Sequence, residues 1–255
     1  MRQTLAIATN TFREAIRDRI FHSLLVFAVL VILSSLILGY VTVGEQARIV
    51  MNVGLAAIHV FGVLIAISVG TGLVYKEMAK RTIVTLLSKP LARHQFLIGK
   101  YVGLAMVLAV QLVLMTAVFQ ALFSARGGWV SALTYQTVWL IYVELLVVTS
   151  VVLLFSTVTS PFTGGILSLL FFLIGHSIGE LQKYSNTYGP LTAHPLWKVA
   201  FALFPDLERF NLKENALYLK PVTWGFVAQT TLYGMLLSAV FVTAAVIVFR
   251  QRDFT

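Results

Sequence analysis

The chain has 255 residues, of which 58% are hydrophobic and 11% charged, with a net charge of +9 and no cysteine. Soluble domains carry charge on about a quarter of their residues, so this composition is that of an integral membrane protein. It excludes disulfides, thiolate metal sites and a cysteine nucleophile. The positive charges gather in short stretches between apolar runs, which points to membrane topology and anionic lipid headgroups and away from nucleic acid.

In chain order, Leu5, Ala8, Phe12, Ile16 and Ile20 recur at threes and fours, with Glu14, Arg17 and Asp18 opposite and Arg13 at the flank. The pattern over 1–19 predicts an amphipathic helix lying on the inner membrane surface. The alternative is the first turns of one long first span. A cleaved signal peptide is not expected, because Glu14 and Asp18 interrupt the lead and no small-residue cleavage pattern follows Tyr40.

Four windows hold no charge at all: 20–44, 49–75, 101–125 and 221–249. Each exceeds the ~20 residues that cross a ~30 Å hydrocarbon core. The region 127–179 carries one charge, Glu144, and is long enough for two helices, with Ser160-Pro161-Phe162-Thr163-Gly164-Gly165 as the turn. Six spans are therefore expected, at about 20–41, 51–75, 101–123, 135–158, 163–181 and 225–249. The fold class is all-α: one polytopic transmembrane domain over 1–255.

Orientation follows from the loops. The N-terminal segment has four Arg and the stretch 76–100 has six Lys/Arg, whereas 42–50 and 124–134 have one each. This bias places both termini and 76–100 in the cytoplasm and the chain in the inner membrane. The remaining loop, 182–224, falls outside. Its stretch Pro195–Phe204 is apolar but too short to span, which predicts one or two short helices dipping into the outer leaflet, ended by Pro205 and Pro221, with Trp197 and Trp224 at the interface.

Residues 77–88 form a second amphipathic pattern. Glu77, Lys80, Arg81, Thr85 and Ser88 share one face, interrupted by Val84, and Ala79, Ile83, Leu86 and Leu87 share the other. Pro90 ends that helix, and another starts near Ala92 and runs through Gly99-Lys100 into the membrane. By itself the stretch is what any positive-inside loop looks like.

Inside the spans the ionisable groups are few. Glu144 lies about ten residues in from the outer end of its span, where a charge costs about 2.5–3.5 kcal/mol on insertion scales. It must face the bundle interior, as a polar group on a transport path or as a packing hydrogen bond. His59 and His176 are the weaker candidates for the same path, since a neutral histidine is easily satisfied by a carbonyl. Gln111, Gln120 and Gln229 suit helix–helix hydrogen bonds, and Gly62-x-x-x-Ala66-x-x-x-Gly70 and Gly175-x-x-x-Gly179 allow close helix approach, within a subunit or between two. No metal ligand set is legible. The chain has no G-x-x-x-x-G-K-[ST] loop, because Gly99-Lys100 is followed by Tyr101, and no H-E-x-x-H or G-x-S-x-G.

Taken in order, Glu77, Arg81-Thr82, Leu86-Leu87-Ser88-Lys89-Pro90, Arg93, Gly99-Lys100 and the tail Phe249-Arg250-Gln251-Arg252-Asp253-Phe254 resemble the ABC-2 type permeases, the membrane subunits of one class of ABC transporters. Within that family the chain is similar to the permeases grouped with the nitrous-oxide-reductase maturation permease. It departs at Arg81, where the family often has Gly. The resemblance implies a permease domain that is not itself an enzyme and binds no cofactor. ATP and Mg belong to a separate cytoplasmic ABC ATPase subunit, and a second copy of this or a related permease completes the exporter. It makes 76–90 the coupling helix, with Glu77, Lys80, Arg81, Thr82, Ser88, Pro90 and Arg93 toward the ATPase. Two rival readings of the residues are a proton- or ion-coupled secondary transporter using Glu144 with His59 or His176, and a scaffold or intramembrane enzyme, which would need a polar triad closed around Glu144.

Overall fold

A computed structural model describes residues 2–41, 46–79, 93–125, 131–188 and 204–251. Its helices are α1 (Arg2–Ile16), α2 (Arg19–Val41), α3 (Gln46–Ala79), α4 (Arg93–Ala125), α5 (Ala132–Val158), α6 (Pro161–Tyr188), α7 (Lys213–Leu217) and α8 (Trp224–Gln251), with a 3-10 turn at Glu208–Phe210. Among the described residues there is no strand. Five stretches are long and apolar enough to cross a membrane, Gln46–Leu73, His94–Ala125, Ala132–Val158, Pro161–Gly179 and Trp224–Gln251, and Arg19–Ser35 adds a shorter apolar helix where the first span was expected. The protein is an all-α, polytopic membrane protein.

α1 is separate from α2, so the continuous first helix is excluded. The break is local chemistry: the Asp18 carboxylate accepts from the Ile20 backbone N–H at 2.9 Å and caps the start of α2. The face α1 packs is turned from the apolar stripe, with Ala8 and Phe12 shared between them. Ala8, Thr11 and Ala15 are buried while Leu5 is 66% exposed. The reason lies on α4, where a Cβ on Gly103 would stand 2.6 Å from Thr11 Cβ and 2.7 Å from the Ala8 carbonyl oxygen, and one on Gly99 would stand 3.0 Å from the Thr4 carbonyl oxygen. Two helices this close admit only small side chains between them. Because a backbone oxygen blocks the position, no rotamer change relieves it. Gly103→Val is expected to detach α1, at about 1–3 kcal/mol of overpacking, and to be read as faster proteolysis of the first 18 residues with the rest intact.

α5 is the axis of the bundle, buried along most of its length from Thr134 to Thr157. Gly62 and Gly70 of α3 lie against it, where an added Cβ would come within 2.7 Å of Leu145 and of Val152 respectively. The first small-residue stripe is thus a contact within the subunit. Gly234 of α8 packs on the opposite side against Val143 and Phe210.

Two expectations change, the turn before α6 and the glutamines. The turn before α6 is confined to Thr159-Ser160: Pro161 opens the helix, where its missing N–H is harmless, and the Ser160 hydroxyl pairs with that of Thr163 at 3.0 Å. The span expected at 163–181 matches Pro161–Gly179, and α6 continues past it as a helix to Tyr188. Among the described residues of the 182–224 loop, short helices lie at 208–210 and 213–217; the stretch 195–203 and with it Trp197 lie outside the described residues, and Trp224 is 70% exposed at the start of α8. Of the glutamines, Gln111 is buried and donates to Met115 Sδ on its own helix, whereas Gln120 and Gln229 are exposed.

The segment 204–217 explains the second small-residue stripe. It folds back into the end of the bundle and buries Leu207, Phe210, Leu212 and Ala216. Leu207 N–H donates to the Gly175 carbonyl oxygen at 3.1 Å. A Cβ on Gly175 would meet Leu207 at 2.7 Å, and one on Gly179 would meet Glu208 Cβ at 2.7 Å. Gly175-x-x-x-Gly179 therefore receives a re-entrant loop segment and not a neighbouring helix.

Candidate functional site

Three ionisable groups of the spans meet at one place. Glu144, fully buried in the middle of α5, directs Oε1 at His176 Nε2 of α6 (2.7 Å) and Oε2 at His59 Nε2 of α3 (3.0 Å). The second contact lies off the hydrogen-bonding axis. Both rings rest on Phe172, whose centroid is 5.6 Å from that of His59 and 4.8 Å from that of His176.

The re-entrant segment supplies the remaining partners. Glu208 Oε2 lies 2.8 Å from His176 Nδ1, and its Oε1 accepts from Asn211 Nδ2 at 2.9 Å. Lys213 Nζ lies 2.7 Å from His59 Nδ1. The backbone of this segment is fixed by its own side chains: Asp206 Oδ1 accepts from the Glu208 N–H at 3.1 Å, and Asp206 Oδ2 pairs with Arg209 at 3.2 Å.

The protonation that satisfies these contacts follows from the geometry. Both nitrogens of His176 face carboxylate oxygens, so the ring donates from each as an imidazolium. An ammonium can only donate, so Lys213 gives its hydrogen to His59 Nδ1, and the His59 hydrogen sits on Nε2 toward Glu144. Two carboxylates then face two cations, and the charges within the cluster balance. Burial pushes the Lys213 ammonium down from the usual lysine range, while the charges of Glu144 and Glu208 pull it part of the way back.

All three residues singled out inside the spans, Glu144, His59 and His176, are therefore brought into contact. Of the coupling-segment residues, Lys80, Arg81, Thr82, Ser88 and Pro90 lie outside the described residues, and Glu77 and Arg93 fall in the last turn of α3 and the first of α4, their side chains undescribed. Glu208, Asn211 and Lys213 went unread in the sequence. The signal for them was present: a glycine stripe on α6 needs something to fill it, and the acid-bearing segment after Pro205 is the nearest chain.

Polar groups do close around Glu144, the condition set for an intramembrane enzyme. The bonds of Glu144, His59 and His176 run to imidazole, carboxylate and ammonium groups, so among the described residues no hydroxyl nucleophile joins the set. What the arrangement can do is hold charge, exchange protons or coordinate a cation.

The bundle and this cluster define a multi-pass membrane protein with paired charges buried between its helices, the make-up of a transport component. Its sequence matches the family described as ABC-2 family transporter protein over residues 5–254, and the chain belongs to that family. It is a membrane permease of an ABC transporter, of a kind that works with an ATPase partner. No curated protein matches it.

Proposed function

We propose that this permease is the membrane subunit of an ATP-driven exporter, acting as a pair with a second permease and with two copies of a cytoplasmic ATPase subunit that bind ATP and Mg. The family match over nearly the whole chain carries this reading, together with a sequence that holds no P-loop of its own. A permease without a nucleotide site needs a surface that receives force. The amphipathic stretch 77–88 between α3 and α4, closed by Pro90, has the form for it: Glu77, Lys80, Arg81, Thr82 and Ser88 for the partner, with Arg93 following. The charge bias puts this end and both termini in the cytoplasm at the inner membrane. The cluster around Glu144 then lies on the transport path, with the 204–217 segment over its outer end.

The experiment is co-purification of the complex from membranes followed by ATPase assay. Charge reversal as Glu77→Lys or Arg81→Glu is expected to lower the ATPase activity at least tenfold in the complex, the equivalent of about 1.4 kcal/mol of coupling, while leaving the permease folded. Activity indifferent to the whole 76–93 stretch would sink the reading.

The contact between His59, Glu144 and His176 favours a second reading, a proton- or ion-coupled transporter. It predicts pH-driven uptake by vesicles containing this chain and no ATPase. ATP-dependent transport that ignores the pH gradient decides for the exporter.

A further inference from the structure

We propose that His59, Glu144 and His176 form a binding site for one divalent transition-metal ion of the zinc or cobalt kind inside the bundle. One ligand atom from each residue lies within 4.8 Å of the other two. A tetrahedral ion with bonds of about 2.0–2.2 Å sets its ligand atoms about 3.3–3.6 Å apart. The two short contacts, 2.7 and 3.0 Å, go to different oxygens of Glu144, and with one atom from each residue the set spans up to 4.8 Å, so side-chain rotations that draw the donors together around the ion are needed to reach that spacing. The three donors sit on α3, α5 and α6, all long and closely packed, which keeps the geometry rigid. Two imidazoles with one carboxylate suit zinc and cobalt, whereas magnesium and calcium prefer oxygen throughout.

The surroundings fit as well. A metal-bound histidine usually has its other ring nitrogen held by a carboxylate or carbonyl. Glu208 holds His176 Nδ1 at 2.8 Å and is itself steadied by Asn211. Glu144 and His59 are 0% and 4% exposed, so water competes little. Two features oppose the ion: the Nε2 hydrogen of the His176 imidazolium, which must leave as a proton when the metal binds, and Lys213. By donating to His59 Nδ1, Lys213 keeps a hydrogen on Nε2, the atom the ion would take, so the ion and the Lys213 ammonium exclude each other. Glu208 thus favours the ion and Lys213 opposes it, although both belong to one short segment. Arrival of an ion would release the 213 end of that segment and leave the 208 end in place.

The test is titration of the purified full chain in detergent, stripped with a chelator, with Co²⁺ and then Zn²⁺. One Co²⁺ per chain should enter with the intense visible bands of a low-coordinate site, and Zn²⁺ should displace it. His59→Ala, His176→Ala and Glu144→Gln should abolish uptake; His22→Ala and His94→Ala should leave it unchanged. Glu208→Gln should weaken affinity about 10–100-fold, and Lys213→Met should tighten it. Should the three ligand variants fail to fold, this opposed pair decides. The proposal is overturned by an absence of stoichiometric uptake, by uptake that persists in the folded ligand variants, or by Glu208→Gln and Lys213→Met shifting affinity the same way or not at all. Ion binding is measured without ATP or cargo, so its failure leaves the exporter reading untouched.

Discussion

Glu144→Ala is expected to destabilise the protein by about 3–5 kcal/mol, the range for removing one partner from a buried charge network. The loss comes from what stays behind. Without Glu144, the His176 imidazolium and the Lys213 ammonium face a single carboxylate, Glu208, and His59 Nε2 loses the carboxylate charge 3.0 Å from it. Glu144→Gln keeps one carbonyl oxygen for one imidazole and is expected to lose less. The measurement is equilibrium unfolding of the full chain in detergent or nanodiscs. His176→Ala should then do less harm in the Glu144→Ala background than alone, because the two residues share one network. Wild-type stability in Glu144→Ala would mean that the cluster holds nothing together.

The same network ties three spans to one loop, which gives it a mechanical reading. α3, α5 and α6 each contribute one group, and the 204–217 segment contributes two, Glu208 and Lys213. Any movement that separates α3 from α6 at this level must break Glu144 from at least one histidine. It must also pull the loop segment from one of its anchors. A force applied at the far ends of α3 and α4, beside the 80–92 stretch, would in this way be felt at the opposite end of the bundle through α3 itself.

The legible part of this architecture was the part that composition controls. Runs without charge gave the helices, because hydrocarbon excludes charge whatever the packing, and α3, α4, α5 and α8 fall where those runs lie. Glu144, His59 and His176 stood out for the same reason: a titratable group in a span must have a partner. Which partner was invisible, since His59 and Glu144 are neighbours only after α3 packs on α5 through Gly62 and Leu145. The packed face of α1 is turned from its apolar stripe because apolar periodicity marks what avoids water, and in a membrane both a lipid-facing and a buried side do so. Small residues marked the packed side instead. The loop resisted for another reason. Five Lys/Arg and three acids between 182 and 224 look like a solvated outer surface, and nothing local reveals that Glu208 and Lys213 turn inward. The coupling stretch is the reverse case, clear in motif and order while 80–92 lies outside the described residues.

Gly179→Val is expected to lift the 204–212 segment from α6 and part Glu208 from His176. An added Cβ at 179 stands 2.7 Å from Glu208 Cβ and 2.8 Å from Asp206 Oδ1. A Cβ cannot swing aside as the end of a long side chain can, so the segment's backbone must give way. Leu207 and Phe210, both fully buried, would follow it outward. Overpacking of this kind costs about 1–3 kcal/mol, enough to open the segment locally, about 5- to 150-fold more often, with the bundle intact. Hydrogen exchange should show it as faster exchange of the Leu207 and Phe210 amides, bonded in the docked state to Gly175 and Leu207 carbonyls. The interior amides of α5 should keep their protection. Gly72→Ala is the control, for a Cβ there meets nothing within 4 Å, and it should be neutral or gain about 0.5–1 kcal/mol as an ordinary helix substitution. Transport by the assembled complex should fall in Gly179→Val and hold in Gly72→Ala if the segment closes the outer end of the path. Equal exchange in the two variants would show that the 204–217 segment does not depend on the glycine stripe at all.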